Sequence, residues 1–165
     1  MGEVIGGELY VSPRPTSLQV RAASRLGSEL GGPFDRGRGG PGGWILLDKP
    51  ELNPGQDILV ADLAGWRRER MPELPEVAAF TLTPDWVCEV LSPCSVAFDR
   101  ARKMPVYARE GVKHLWLVSP ELRLLEVYRL QNGRWSVLGA HVGTVTVHAE
   151  PFEALALELG ALWER

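Results

Sequence analysis

Hydrophobic and polar positions change period several times along the chain, and each change marks an element. Residues 7–13 (GELYVSP) alternate and end at Pro13, the pattern of a short strand or hairpin arm. Spacing becomes helical over 17–30, where Leu18, Ala22, Leu26 and Leu30 form one stripe; Thr16 or Ser17 stands at the N-cap and Gly31 at the stop. The Gly- and Pro-rich stretch 31–43 reads as loop. Three apolar runs then predict strands: WILLD (44–48), DILVADL (57–63) and WVCEVL (86–91). Helical period returns over 97–110, with Ala97, Ala101, Met104 and Ala108 on one face, Gly111 as a stop, and Pro105 predicting a kink or a broken first half. The wholly apolar HLWLV (114–118) predicts a strand lying parallel to a neighbour across that helix. LLEVYRL (124–130), RWSVLG (134–139) and TVTVH (144–148) predict an antiparallel meander, the first two joined by an Asn132-Gly133 turn. Residues 151–163 predict a closing amphipathic helix, with Pro151 near its first turn. The elements add up to an α/β fold: a mixed sheet flanked by helices, extended by C-terminal antiparallel strands and a helix.

Composition narrows the class. The chain has 165 residues, 45% hydrophobic and 24% charged, enough to bury the core of a single domain. No apolar run is long enough to cross a bilayer, and the N-terminal MGEVIGGELYV lacks a basic region and apolar core, so a cytoplasmic protein is expected. Cys88 and Cys94 have no histidine at zinc-ligand spacing and read as free thiols. A net charge of −3 gives no global attraction to nucleic acid, so a polyanion would have to be met by a local basic patch or through metal ions.

Two carboxylates, Asp62 in ILVADL and Glu89 in WVCEVL, interrupt otherwise apolar strands. A buried carboxylate needs a cation, hydrogen bonds or solvent at a sheet edge. Strand period puts Asp62 on the face of Ile58 and Val60, and Glu89 on the face of Val87 and Leu91. On neighbouring strands the two could share a hard cation such as Mg²⁺, which prefers oxygen ligands and keeps several waters. The plainer alternative solvates or salt-bridges each at a strand end. Asp99, Lys103 and Tyr107, at i, i+4 and i+8, share roughly one helix face apart from the alanine and methionine stripe. An acidic pair beside a lysine is what metal-assisted phosphodiester hydrolysis asks for, whereas the alternative is an exposed Asp99–Lys103 salt bridge of little consequence.

The segments GGELYVSPRP, GRGGPGGW, DILVADLAGWRRERMP, PDWVCEVLSPCS, DRARKMPVYAREGVKHLWLV and EPFEALALELGALW, in that order, resemble the Uma-type putative restriction endonucleases of the PD-(D/E)XK nuclease superfamily. The likeness covers essentially the whole chain. It implies the αβββαβ restriction-endonuclease-like core, a Mg²⁺ or Mn²⁺ cofactor, and DNA as substrate. It further implies that Asp62 and Glu89 are the metal ligands. Leu91 stands where the motif's lysine would fall, and the resemblance assigns that role to Lys103 on the following helix. Glu8, in GGEL, matches a further acidic position that would complete the site. Ala61 replaces the proline of the "PD" motif, and Gln19 stands where relatives commonly carry a histidine.

Cutting both strands of DNA would favour a homodimer. Arg36, Arg38, Arg67, Arg68 and Arg70 are the candidates for a basic rim, with a solvated surface as the alternative. Gly37, Gly39 and Gly42 satisfy G-x-G-x-x-G but neither follow a strand nor open a helix, so they point to no nucleotide site. The leading expectation is a metal-dependent endodeoxyribonuclease; the alternative is a nuclease-fold module that binds or regulates without cutting.

Overall fold

A computed structural model describes residues 1–165. The chain opens with a hairpin, β1 (Gly2–Ile5) and β2 (Glu8–Val11), turned by Gly6 and Gly7. Both glycines have positive φ, 60° and 81°, the left-handed pair a tight two-residue hairpin requires. Helix α1 (Ser17–Leu30) matches the predicted bounds, with Thr16 as N-cap in a reciprocal capping box with Gln19. It runs into a π-helical turn over Gly31–Asp35, so the stop at Gly31 and the loop expected from there are both displaced.

Six strands form the central sheet, in the order β10-β9-β8-β7-β6-β3. These are β3 (Trp44–Asp48), β6 (Leu63–Arg67), β7 (Trp86–Val90), β8 (His114–Ser119), β9 (Leu124–Gln131) and β10 (Arg134–Val142). Only β7 and β8 run parallel, as a crossover helix between them demands. The single strand expected over 57–63 is instead two: β5 (Leu59–Val60), paired with β4 (Glu51–Leu52), and β6, with Ala61 and Asp62 between them.

The crossover begins as α2 (Val96–Phe98), passes through a π-helical turn over Asp99–Lys103 and ends as α3 (Met104–Arg109). Pro105 has no N–H to donate to Ala101, and the backbone loosens just ahead of it, Met104 N–H donating to Asp99 O. The expected alanine and methionine face is not the buried one. Ala97 and Ala101 are exposed, while Asp99, Lys103, Val106 and Tyr107 face the core.

After β10 the chain departs from the expected meander. β11 (Thr146–Val147) leaves the central sheet and pairs with β12 (Leu157–Glu158). The predicted closing helix is mostly turn, with β12 and only the short α4 (Gly160–Trp163) ordered regularly. Its apolar residues are nonetheless buried: Phe152, Leu157, Leu159 and Leu162 pack with α1 on one face of the sheet.

Alternation along β7 divides the core in two. Trp86, Cys88 and Val90 point to the face covered by α1 and the C-terminal segment; Val87, with Leu91 just beyond the strand, points to the face covered by α3. Glu89 shares that second face. On the first, Phe152 lies against Phe34, Trp44, Trp86 and Trp116, with ring centroids 4.7–5.6 Å apart. Truncating so central a ring removes both burial and ring contacts. Phe152→Ala is expected to cost about 3–5 kcal/mol in urea unfolding; a loss under about 1 kcal/mol would mean that the C-terminal segment does not anchor this core.

Candidate active site

β6 meets β7 with Leu63 opposite Cys88. The next step would set Asp62 against Glu89, and there the backbone ladder stops. Asp62 N–H donates to Glu89 Oε1 at 3.2 Å, and Val90 N–H donates to Asp62 Oδ2 at 2.7 Å. Carboxylate oxygens replace carbonyls as acceptors, so the strands part without leaving these N–H groups unpaired. Upstream of Asp62 the chain is free to form β5 with β4.

The other Glu89 oxygen faces the crossover helix. Glu89 Oε2 is ion-paired with Lys103 Nζ and accepts from Tyr107 OH at 3.2 Å. Lys103 Nζ also lies 2.8 Å from Glu3 Oε2 and 4.0 Å from Asp99 Oδ1, and donates to Val60 O at 2.9 Å. Only 3% of Lys103 is exposed, so this is no surface salt bridge. The expected Asp99–Lys103–Tyr107 face exists, turned inward.

Three carboxylates share one ammonium here, which leaves an excess of negative charge away from water. Burial pushes the Glu89 carboxyl well above the ordinary range, with Asp99 and Asp62 acting the same way against Lys103. Asp99 is raised from 3.8 to about 6, chiefly by burial, with Lys103 and the Ser95 hydrogen bond opposing. Burial works against the Lys103 ammonium, yet Glu89, Tyr107, Glu3 and Asp99 hold its pKa well above that of an ordinary lysine. The lysine therefore stays charged, while burial favours the protonated forms of Glu89 and Asp99 more than water would. Cys88, wholly buried, is pushed up by burial and by Asp62 and Glu89, so its thiol is inert.

Asp62 lies at the mouth of a groove of about 340 Å³ between α1 and β3, with Gln19, Lys49 and Leu63 beside it. Its Oδ1 is ion-paired with Lys49 Nζ. Gln19 Nε2 donates to Val90 O at 3.1 Å while the rest of the side chain closes the α1 capping box, fastening the first turn of the helix to the end of β7.

Asp62, Glu89 and Lys103 are thus brought together. Glu8 is not: exposed on β2, it accepts from Tyr10 OH at 2.8 Å, and Glu3 of the same hairpin reaches Lys103 instead. Sequence reasoning passed over Glu3 and Lys49. The Gly6-Gly7 pair could have revealed the hairpin that carries Glu3; nothing local marks Lys49, which the turn after β3 delivers.

Of the five rim arginines, three are engaged. Arg67 stacks 4.5 Å over Trp44, Arg68 lies 3.5 Å from Asp35 and Arg70 lies 3.0 Å from Asp85. Arg36 and Arg38 are exposed and make no ion pair. Gly37, Gly39 and Gly42 shape this loop through positive φ.

A hard divalent cation needs oxygen donors. Asp62 and Glu89 present carboxylates from adjoining strand ends, and ammonium groups already stand on both, so both attract a cation. No three His, Cys, Asp or Glu side chains form a cage, but Mg²⁺ is commonly held by one or two carboxylates with water for the rest. The donor set fits such an ion.

A mixed sheet whose crossover helix returns a lysine onto an acidic strand, with a second acid at the neighbouring strand end, defines a restriction-endonuclease-like nuclease fold. The chain belongs to the Uma2 family, described as "putative restriction endonuclease", whose profile matches residues 2–160. Among solved structures it resembles one described as a "putative nuclease belonging to DUF820" from Anabaena variabilis ATCC 29413, with a TM-score of 0.79 and 21% identity over 98% of this chain and 89% of that one. At that identity the likeness is one of fold. No curated protein matches, and no helix is long and apolar enough to cross a membrane.

The raised Asp99 pKa gives stability a pH signature. The folded state holds this proton more tightly than the unfolded chain, so the contribution is fully present below pH 3.8 and is lost as pH rises through about 6. Relative to wild type, Asp99→Asn is expected to gain about 2 kcal/mol between pH 4 and pH 7 in urea unfolding. A stability difference flat across that window would show that the fold holds the Asp99 proton no more tightly than the unfolded chain does.

Proposed function

We propose that the protein is a divalent-metal-dependent endonuclease hydrolysing DNA phosphodiester bonds. The reading rests on the apposition of Asp62, which lines an open groove, with the buried Glu89 behind it, backed by Lys103, in a chain of the Uma2 family. Mg²⁺ or Mn²⁺ bound there would polarise a phosphoryl oxygen and lower the pKa of a water. Asp62, part-exposed at the groove, and Glu89, held on a core strand, would be its ligands. Lys103 keeps Glu89 in place and offsets its charge; at 3% exposure it acts through Glu89 rather than on substrate. Gln19 positions the Val90 carbonyl at the same strand end. Arg36 and Arg38 are free to meet phosphates despite the acidic total, whereas Glu8 lies outside the cluster and would assist only from the hairpin surface. Cutting both strands would call for a homodimer with one site per copy.

One observation favours a nuclease fold that binds without cutting. All four carboxylate oxygens of Asp62 and Glu89 already have protein donors or cations on them. An active enzyme would have to hold its ion on the lone pairs these contacts leave, or release one of them.

Plasmid and linear DNA incubated with Mg²⁺ or Mn²⁺, with EDTA controls, separates the two readings. Cleavage by wild type is expected to fall roughly 100-fold or more in both Asp62→Asn and Glu89→Gln, which preserve side-chain shape. Folded wild type that cuts with neither metal would select the non-cutting module, and undiminished cutting by both variants would sink the site assignment.

A further inference from the structure

The two carboxylates carry cations of opposite character. Lys103, on Glu89, is buried and additionally held by Glu3 and the Val60 carbonyl. Lys49, on Asp62, is not: its side chain is 41% exposed, the Asp62 side chain is 20% exposed, and both line the open groove. Exposed ion pairs are worth little and exchange readily, whereas a buried ion cannot leave without stranding its partners.

Lys49 is nevertheless placed deliberately. Its backbone is left-handed, φ 53°, an unusual conformation for a residue with a side chain, just before Pro50. Lys49 N–H donates to Asp62 O at 3.0 Å while Nζ reaches Asp62 Oδ1, so one residue grips Asp62 by main chain and side chain together. The main-chain bond can persist when the ammonium lets go. Asp62 Oδ2 meanwhile accepts from Val90 N–H, so Oδ1 is the oxygen open to exchange.

We infer that Lys49 is the exchangeable cation of the site. Without metal its ammonium occupies Asp62 Oδ1; a divalent cation displaces it, and the freed ammonium, still tethered beside Asp62, engages a phosphate of a strand entering the groove. Lys49 would thereby couple metal loading to substrate binding. This inference rests on the metal-site reading of Asp62.

Calorimetric titration with Mn²⁺ alone, without DNA, tests the first half. Lys49→Met is expected to bind Mn²⁺ about fivefold or more tightly than wild type, because the competing charge is gone. Lys49→Arg keeps the competitor and should stay close to wild type, and Asp62→Asn should abolish binding in the wild-type and Lys49→Met backgrounds. The second half is read from duplex DNA binding in Ca²⁺ over a salt series, where Lys49→Met should weaken affinity and make the log–log slope shallower by about 1.

Wild type that binds Mn²⁺ through Asp62, with Lys49→Met no tighter, would overturn the exchange while leaving the metal site intact. Tightening that survives Asp62→Asn would place the ion elsewhere and overturn it too. An unchanged salt slope would remove the phosphate contact. Absence of Mn²⁺ binding in wild type and Lys49→Met alike would overturn both this inference and the metal-site reading beneath it.

Discussion

The arrangement depends on one buried ammonium. Lys103 sits almost out of water, and a charge so placed is tolerated only when partners surround it. Those partners come from distant parts of the chain: Glu3 from the first hairpin, the Val60 carbonyl from β5, Glu89 from β7 and Asp99 from its own helix. Satisfying Lys103 therefore docks the hairpin, seats the crossover helix on the sheet and holds Glu89 in one orientation. Asp57 reinforces the docking, accepting from Gly6 N–H at 2.9 Å and pairing with Arg109 at 2.7 Å.

The parting of β5 from β6 follows from the same chemistry. A continuous ladder would run on past Asp62 and Glu89 and keep β5 in the central sheet. Asp62 supplies an acceptor for Val90 and gives its own N–H to Glu89, which ends the ladder at little hydrogen-bonding cost. The break in the ladder is thus built from the side chains that are candidates for the chemistry. On the opposite face, the aromatic cluster around Phe152 provides rigid backing for β7, so the strand carrying Glu89 is fixed from both sides.

Much of this was legible in the residues. β3, α1 with its cap, β7 and the parallel β8 fell where periodicity and capping put them, because each is long or strongly patterned. The apolar interruptions at Asp62 and Glu89 were visible for the same reason: a carboxylate in a buried run has to be explained. Where reading failed, a local rule lost to a distant partner. The helix over 97–110 was oriented by its alanines, but an alanine gains little from burial, whereas Asp99, Lys103 and Tyr107 found one another and Glu89 inside. The C-terminal run has helical spacing, yet it packs as turns and β12 against α1 and the aromatic cluster.

The sequence by itself determined which strands are buried, which helix crosses between the parallel pair, and that Asp62 and Glu89 each needed a partner or solvent. Only the tertiary structure decided which acid completes the cluster, Glu3 rather than Glu8, and which cation rests on Asp62. Pattern and propensity act over a few residues, so they set elements and faces. The partner of a buried charge is chosen by where the chain returns in space, and for Glu3 and Lys49 a hairpin and a turn after β3 made that choice.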